Sequence, residues 1–346
     1  MSPHPDHTIA PVLRDIQAAR TLQGIQEIRN RLPSLMNNSL AAGISVHELT
    51  GFLSDVADAV LKRLMAWSLR ELGPAPVGFA FMLMGSLCRK EMTLNGDQDN
   101  AIVYEDVPHE LQQSVNAYFL KLGKTVCALL DESGYPLCKG DFMARNPEWC
   151  QPLSAWNDYY VQWIQGVDPE SQVHFGMFFD FRVAYGEKAL ADELRARLFR
   201  VLGDSRGFLY HLLKIAQQYD VPLGRLGKFK VSKMGRVRDL LDVKSAVEPI
   251  VFIVRVLAYQ HGIESIHTLG RLEALGEQGI LEAHTCRSVI QAYSLLVALR
   301  LKNQIDRDNA AIPENFISLS DLTPDDRFLL KEALRTIKGL QGRVCQ

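Results

Sequence analysis

A short apolar run at residues 77–84, Val-Gly-Phe-Ala-Phe-Met-Leu-Met, stops at Gly85-Ser86. After ten intervening residues, Asp97-Gln98-Asp99 leads into a second apolar run at 100–104. Runs this short and continuous suit strands buried on both faces better than helices. The pattern therefore predicts two core strands joined by a polar connection that carries a glycine at one end and paired carboxylates at the other. Gly73-Pro74-Ala75-Pro76 closes whatever precedes the first strand, since proline donates no hydrogen bond and pushes its predecessor towards extended backbone. A third run, Phe178-Phe179-Asp180-Phe181-Arg182-Val183, reads as another strand, interrupted by a carboxylate. Between the second and third runs lie helical sequence at 110–130 and a loop-rich stretch at 134–152 with Cys138-Lys139-Gly140-Asp141 and Asn146-Pro147-Glu148-Trp149.

The flanks have a different period. From residue 9 to 71 apolar side chains recur at helical spacing, through Ile16, Leu22, Ile25, Ile28 and Leu32, then Leu53, Val56, Val60, Leu64 and Trp67. From Lys188 onward helical spacing returns in Leu190, Leu194 and Leu198, in Ile250, Ile253, Val254 and Leu257, in Ile290, Leu295 and Leu299, and in Leu329, Leu334 and Ile337. Residues 219–240 interrupt it with glycines and the cations Arg225, Lys228, Lys230, Lys233, Arg236 and Arg238, and read as a long connection. The predicted fold is α+β: a helical region at 1–74, a mixed-sheet core at 75–190, and a helical bundle at 191–346 that forms the other wall of a cleft.

At 346 residues and 47% hydrophobic, the chain has material for about two or three domains. Its 38 basic and 40 acidic residues leave a net charge of -2, which gives no general attraction for a nucleic-acid backbone. The six cysteines, Cys88, Cys127, Cys138, Cys150, Cys286 and Cys345, show no zinc spacing and read as reduced thiols. No apolar run approaches the roughly 20 residues that span a bilayer, and the first residues lack a signal-peptide pattern. A cytoplasmic location is the expectation.

Glycine at a strand end lets backbone approach a phosphate closely, and Ser86 adds a hydroxyl donor. Residues two apart on a strand share a face, so Asp97 and Asp99 can converge on hard divalent cations, which prefer oxygen ligands. Two such cations can activate an attacking oxygen and stabilise leaving pyrophosphate. Asp180 is the candidate third carboxylate, because an unpaired charge in an apolar run is costly. Taken singly, each piece has a plainer reading: a D-x-D is a common surface turn, Asp180 can pair with Arg182, and Arg89 and Lys90 can be solvated loop charges. Gly123-Lys124-Thr125 imitates the end of a P-loop, but its earlier glycine is replaced by Tyr118 and the segment reads as helix. Trp149, Trp156 and Trp163 fall seven apart, which suits one buried helix face.

The stretch Gly85-Ser86-Leu87-Cys88-Arg89-Lys90-Glu91-Met92-Thr93-Leu94-Asn95-Gly96-Asp97-Gln98-Asp99-Asn100 resembles the motif of a bacterial family of signal-transduction nucleotidyltransferases. That family belongs to the polymerase-β-like superfamily and is related to PII uridylyltransferase and glutamine synthetase adenylyltransferase. The resemblance extends to Asp58 and Arg63, to the three tryptophans, to Phe179-Asp180-Phe181-Arg182 with Tyr185-Gly186, and to Leu241-Asp242-Val243-Lys244. It continues through Thr268 with Arg271-Leu272 and Arg300-Leu301-Lys302-Asn303-Gln304, which are similar to the family's C-terminal substrate-binding domain. It implies transfer of a nucleoside monophosphate from ATP or UTP to a hydroxyl acceptor, with a protein as acceptor and Mg²⁺ or Mn²⁺ at a two-metal site. Asp97 and Asp99 would bind both metals, Asp180 would bind the catalytic one and help deprotonate the acceptor, and Gly85, Ser86 and Arg89 would hold the phosphates. The family places glycine where this chain has Cys88 and glutamine where it has Met92. A left-handed glycine there would leave Cys88 strained, unless the loop has re-formed on ordinary dihedrals, and a partly exposed Cys88 thiol would be redox-sensitive. That departure is the hint for a second reading, a nucleotide-binding regulatory module without turnover. Residues 1–74 leave no room for the regulatory domains often found ahead of this core, so its regulatory input would differ or come from a partner protein.

Overall fold

The computed structural model describes residues 6–166, 169–224, 226–234, 237–306 and 312–343. Arg225, Arg236 and Cys345 lie outside them. The chain divides into two compact units, Met1–Ser205 and Arg206–Gln346.

The first unit opens with α1 (Asp6–Ala18), α2 (Leu22–Asn30), α3 (Leu32–Ala41) and α4 (Val46–Leu72). Thr21 caps α2 by accepting from the Gly24 N–H, and Ser45 with Glu48 forms a reciprocal capping box on α4. The α4 stripe of Leu53, Val56, Val60 and Leu64 is buried as its spacing predicts. Gly73, at φ +86°, ends that helix by leaving the helical region of backbone space.

β1 (Phe79–Leu83) follows, then a single turn of helix, α5 (Gly85–Cys88), and β2 (Asn100–Tyr104). Next come α6 (His109–Glu132), β3 (Cys150–Pro152), α7 (Leu153–Gln165), α8 (Pro169–Phe178), β4 (Arg182–Gly186) and α9 (Lys188–Gly203). The sheet runs β3-β2-β1-β4. β1 is antiparallel to both neighbours, with Leu83 opposite Asn100 on one side and Arg182 on the other, while β3 runs parallel to β2. The sheet is thus mixed, and β1, in its centre, is buried at every position. Tyr104 stacks on Phe119 of α6 at 4.8 Å, and the Trp156 indole of α7 donates to the Ile102 carbonyl at 3.1 Å. Gly123 is explained by packing: a Cβ there would meet the Ala144 carbonyl at 2.2 Å, so the glycine of the apparent P-loop permits close approach of α6 to residue 144.

The third predicted strand differs. Phe178 ends α8, and β4 starts only at Arg182, so Asp180 sits in the bend between them. The four phenylalanines nearest it, Phe175, Phe178, Phe179 and Phe181, are all buried, but they fill the core from a helix end and a turn. Continuous apolarity marked the burial and gave no helix-to-strand boundary. The division expected between residues 190 and 191 falls within α9, which stays with the first unit.

The second unit contains α10 (Arg206–Ala216), β5 (Ser232–Met234), β6 (Val237–Asp242), α11 (Val243–Gln260), α12 (Thr268–Glu277), α13 (Ala283–Ile305), β7 (Phe316–Ser318) and α14 (Pro324–Arg343). It is mostly helical, with Ile250, Ile253, Val254 and Leu257 of α11 buried as predicted. On α14 the buried stripe passes through Leu330, whereas Leu329 is 51% exposed. The three-stranded sheet β5-β6-β7 was unforeseen and occupies part of the supposed connection. β5 is wholly exposed, and only Leu240 and Leu241 anchor β6, so neither strand carries an apolar signature. Among the described residues no helix is long and apolar enough to cross a membrane.

Candidate active site

β1 delivers the chain to the site. Past its end, the Met84 N–H donates to the Asp99 carbonyl at 3.0 Å, which continues the pairing with the segment ahead of β2. The backbone then turns at Gly85, whose φ of +59° is left-handed. A Cβ on Gly85 would lie 2.2 Å from Asp99 Oδ2. Glycine is therefore required twice, by the turn and by the carboxylate that lies against it. Ser86 is half-buried, and its carbonyl accepts from the Glu91 N–H at 2.9 Å, which closes the loop after α5.

Regular pairing of β2 begins at Asn100, so Asp97 and Asp99 precede the strand instead of opening it. Their alternation nevertheless holds. Gln98 and Asn100 turn inward, 2% and 0% exposed, and spend their amides on a distant segment. Gln98 Nε2 donates to the Cys127 and Tyr135 carbonyls at 3.0 Å each, and Asn100 Oδ1 accepts from the Ala144 N–H at 2.8 Å. The Gln98 N–H bonds the Pro136 carbonyl, and Gln98 bridges Leu137 in parallel. These bonds bring Cys138 alongside, so that ligand atoms of Asp97, Asp99 and Cys138 all lie within 4.8 Å of one another. Burial, and then the Asp99 charge, push the Cys138 thiol up to about 12, so it remains protonated beside the two carboxylates. Two carboxylates two residues apart, with oxygen donors converging, fit a hard divalent cation, and a neutral thiol adds little to such a set.

Sequence reading missed Gln98, Asn100 and Cys138. The two amides had a signal, since they alternate with the aspartates at the head of a buried strand. Cys138 had none, because its place depends on bonds to residues far along the chain.

The other flank of β1 holds Asp180, which is 0% exposed and outside the Asp97, Asp99 and Cys138 group. Arg182, the partner in the plainer reading of Asp180, has Nη2 2.6 Å from Asp58 Oδ1 and also donates to the Leu87 and Cys88 carbonyls that end α5. Asp58 further accepts from Lys90 Nζ at 2.8 Å, so α4, α5 and β4 are tied by one ionic network. Arg89, read as a phosphate ligand, is only 9% exposed and donates from Nε to Glu91 Oε2 at 2.8 Å. Burial opposes its charge, but Glu91, Cys88 and Asp180 outweigh that and raise its pKa further. Cys88 is fully buried, with Sγ 3.3 Å from the Gly85 carbonyl and 3.4 Å from that of Asp180. It lies in the helical turn of α5, and the left-handed residue after that turn is Lys90, at φ +59°. Of the two alternatives for Cys88, the loop re-formed on ordinary dihedrals is therefore the one found, and the partly exposed thiol is not.

Trp149, Trp156 and Trp163 are all buried, the last two on α7, and His174 stacks on Trp163 at 4.6 Å. In the second unit Asp242 caps α11 by accepting from the Ser245 N–H, and Arg300 donates to Asn315 Oδ1 at 3.1 Å.

Residues 30–170 match a family model described as "Putative nucleotidyltransferase DUF294". Residues 206–346 match a second, described as "Putative nucleotidyltransferase substrate binding domain". The first match contains Gly85, Ser86, Asp97, Asp99 and Cys138 and ends before Asp180; the second coincides with the second compact unit. No curated protein matches the chain.

Proposed function

We propose, from the premise that the chain belongs to the putative nucleotidyltransferase family described by these two models, that it moves a nucleoside monophosphate from ATP or UTP to a hydroxyl group on an acceptor protein. The observation that carries this reading is the convergence of Asp97 and Asp99 against the Gly85-Ser86 turn. In this reading the two aspartates hold Mg²⁺ or Mn²⁺, and the cations supply charge neutralisation for the triphosphate when bound. Gly85 lets the backbone approach the phosphates, and the Ser86 hydroxyl donates to them. Asp180 is the third carboxylate and takes the acceptor proton. Arg89, tied to Glu91, braces the Asp180 flank and leaves the phosphates to Gly85 and Ser86. The activity belongs to cytoplasmic signal transduction, with the acceptor and any regulatory partner read by the second unit.

The competing reading, a nucleotide-binding regulatory module without turnover, rested on Cys88. With that residue in ordinary helical backbone, the strained-loop argument for it falls away, and a turnover assay separates the two readings. Incubation with α-labelled ATP or UTP, Mg²⁺ or Mn²⁺ and host lysate tests the proposal. Label should move to a protein with release of pyrophosphate, and it should stay on the nucleotide when Asp97 and Asp99 are both replaced by Asn. Tight binding of NTP with no labelled acceptor under any of these conditions would favour the module instead.

A further inference from the structure

Sheet order leaves β4 without a strand neighbour on its outer side among the described residues. An open strand edge presents a row of backbone donors and acceptors and invites another strand to pair with it. Here the edge lies along a groove of about 560 Å³ lined by all five residues of β4, with Lys62 of α4 and Lys188, Asp192 and Arg195 of α9 also lining it. The groove carries four cations, counting Arg182, against the single carboxylate of Asp192.

Their ion pairing leaves much of that charge available. Arg182 is bound to Asp58, but Lys62 and Arg195 form no ion pair among the described residues. Arg195 donates instead to the Phe181 carbonyl and lies over the Phe181 ring. Lys188 meets Asp192 at 3.5 Å, with both side chains more than half exposed, and such a pair is screened and readily exchanged.

We propose that this groove docks an extended acidic peptide, which adds to β4 as a further strand and sets its carboxylates against Lys62, Lys188 and Arg195. A strand of this length spans about 17 Å, so the paired segment is about five residues long. Main-chain bonds to β4 supply the affinity and the alternating side chains the specificity. An extended peptide is favoured over a nucleic acid because the ladder edge presents carbonyl acceptors as well as N–H donors, and phosphates have no donor for the carbonyls. The inference stands apart from the transfer reading, since none of the groove residues belongs to the proposed metal or phosphate set.

The test uses the full chain and three fluorescein-labelled probes: the peptide Ac-EVEVEVE-NH2, the same peptide N-methylated at alternate backbone amides, and poly(U). The unmodified peptide should bind saturably and slow hydrogen exchange at those amides among Val183, Ala184 and Tyr185 that point away from β1. Lys62→Glu and Lys188→Glu, at exposed positions that leave the fold intact, should each weaken binding at least fivefold. N-methylation should weaken it tenfold or more without changing the charge. Equal binding of the N-methylated peptide would mean charge alone is read, and preference for poly(U) would make the groove a nucleic-acid site. No binding at millimolar peptide would make the cations guards against edge pairing. Any of these three results overturns the proposal.

Discussion

The two flanks of β1 hold their carboxylates in opposite ways. On the β2 side, Asp97 and Asp99 are half-buried as residues, with Asp99 Oδ1 itself shut off from solvent, and they are aimed to one side by strand alternation and close enough together to share a cation. On the β4 side, Asp180 is sealed from solvent, next to an arginine already bound to a glutamate. A buried charge survives only when its surroundings are arranged for it, and breaking one member of such a set exposes the cost of the others. One flank therefore brings together the oxygen donors that the proposed metal pair requires, and the other is a structural brace. Both can serve one reaction, but mutation should separate their contributions to stability.

The largest effect belongs to the β2 flank. Replacing Asp97 and Asp99 by Asn keeps shape and removes the charge that would hold cations at half-exposed positions. Transfer of labelled nucleotide should fall by orders of magnitude, with the melting temperature nearly unchanged. Substantial residual transfer in the double variant would end the assignment of this pair.

Gly85→Ala acts on the same flank through backbone and sterics. The new Cβ must displace Asp99 Oδ2, which now lies at 2.2 Å from its ideal position, and alanine must adopt φ +59°. The left-handed backbone costs about 1–2 kcal/mol. A displacement of the carboxylate by about 1 Å should cost transfer about a hundredfold. Full activity in this variant would show that Asp99 is free to move and is not held in register by the turn.

How far these features were legible depended on whether they were local. The Gly85-Ser86 turn, the D-x-D and the two strands around them could be read because strand alternation and glycine backbone freedom act over a few residues. The helical flanks were readable for the same reason. Asp180 could be picked out as a charge among phenylalanines, yet its bend between α8 and β4 could not, because apolarity reports burial and leaves geometry open. The Arg182–Asp58 pair and the approach of Cys138 join residues far apart in the chain, and only tertiary packing selects them. The β5-β6-β7 sheet was invisible because its outer strand buries nothing.

Asp180→Asn sharpens the comparison on the β4 side. Loss of a buried charge beside Arg89 should destabilise the fold by about 1–3 kcal/mol, a fall of several degrees in melting temperature that neither Asp97→Asn nor Asp99→Asn should show. Transfer measured on the same protein, well below its melting point, should also be abolished while NTP binding persists through the other two aspartates. Unchanged transfer with lowered stability would make this flank a brace alone, and unchanged stability would contradict the buried arrangement with Arg89.

The smallest effect is expected at Cys88. Were its position one that needed glycine, Cys88→Gly would relieve strain and raise stability. The structure reverses that sign, because Cys88 lies in the helical turn of α5 and its side chain fills space between the Gly85 and Asp180 carbonyls. Glycine in a helix costs about 0.5–1 kcal/mol relative to alanine through backbone entropy, and removing the buried thiol adds a small cavity cost. The total should be about 1–2 kcal/mol of destabilisation, read as a shift in the urea midpoint at unchanged slope. Transfer should change by no more than a few-fold, since the backbone of the turn is kept. The native thiol, sealed at 0% exposure, should also resist alkylation until the protein unfolds. A rise in midpoint for Cys88→Gly would restore the strained-loop reading, and rapid alkylation of Cys88 in the native protein would show that the turn between the two flanks opens to solvent.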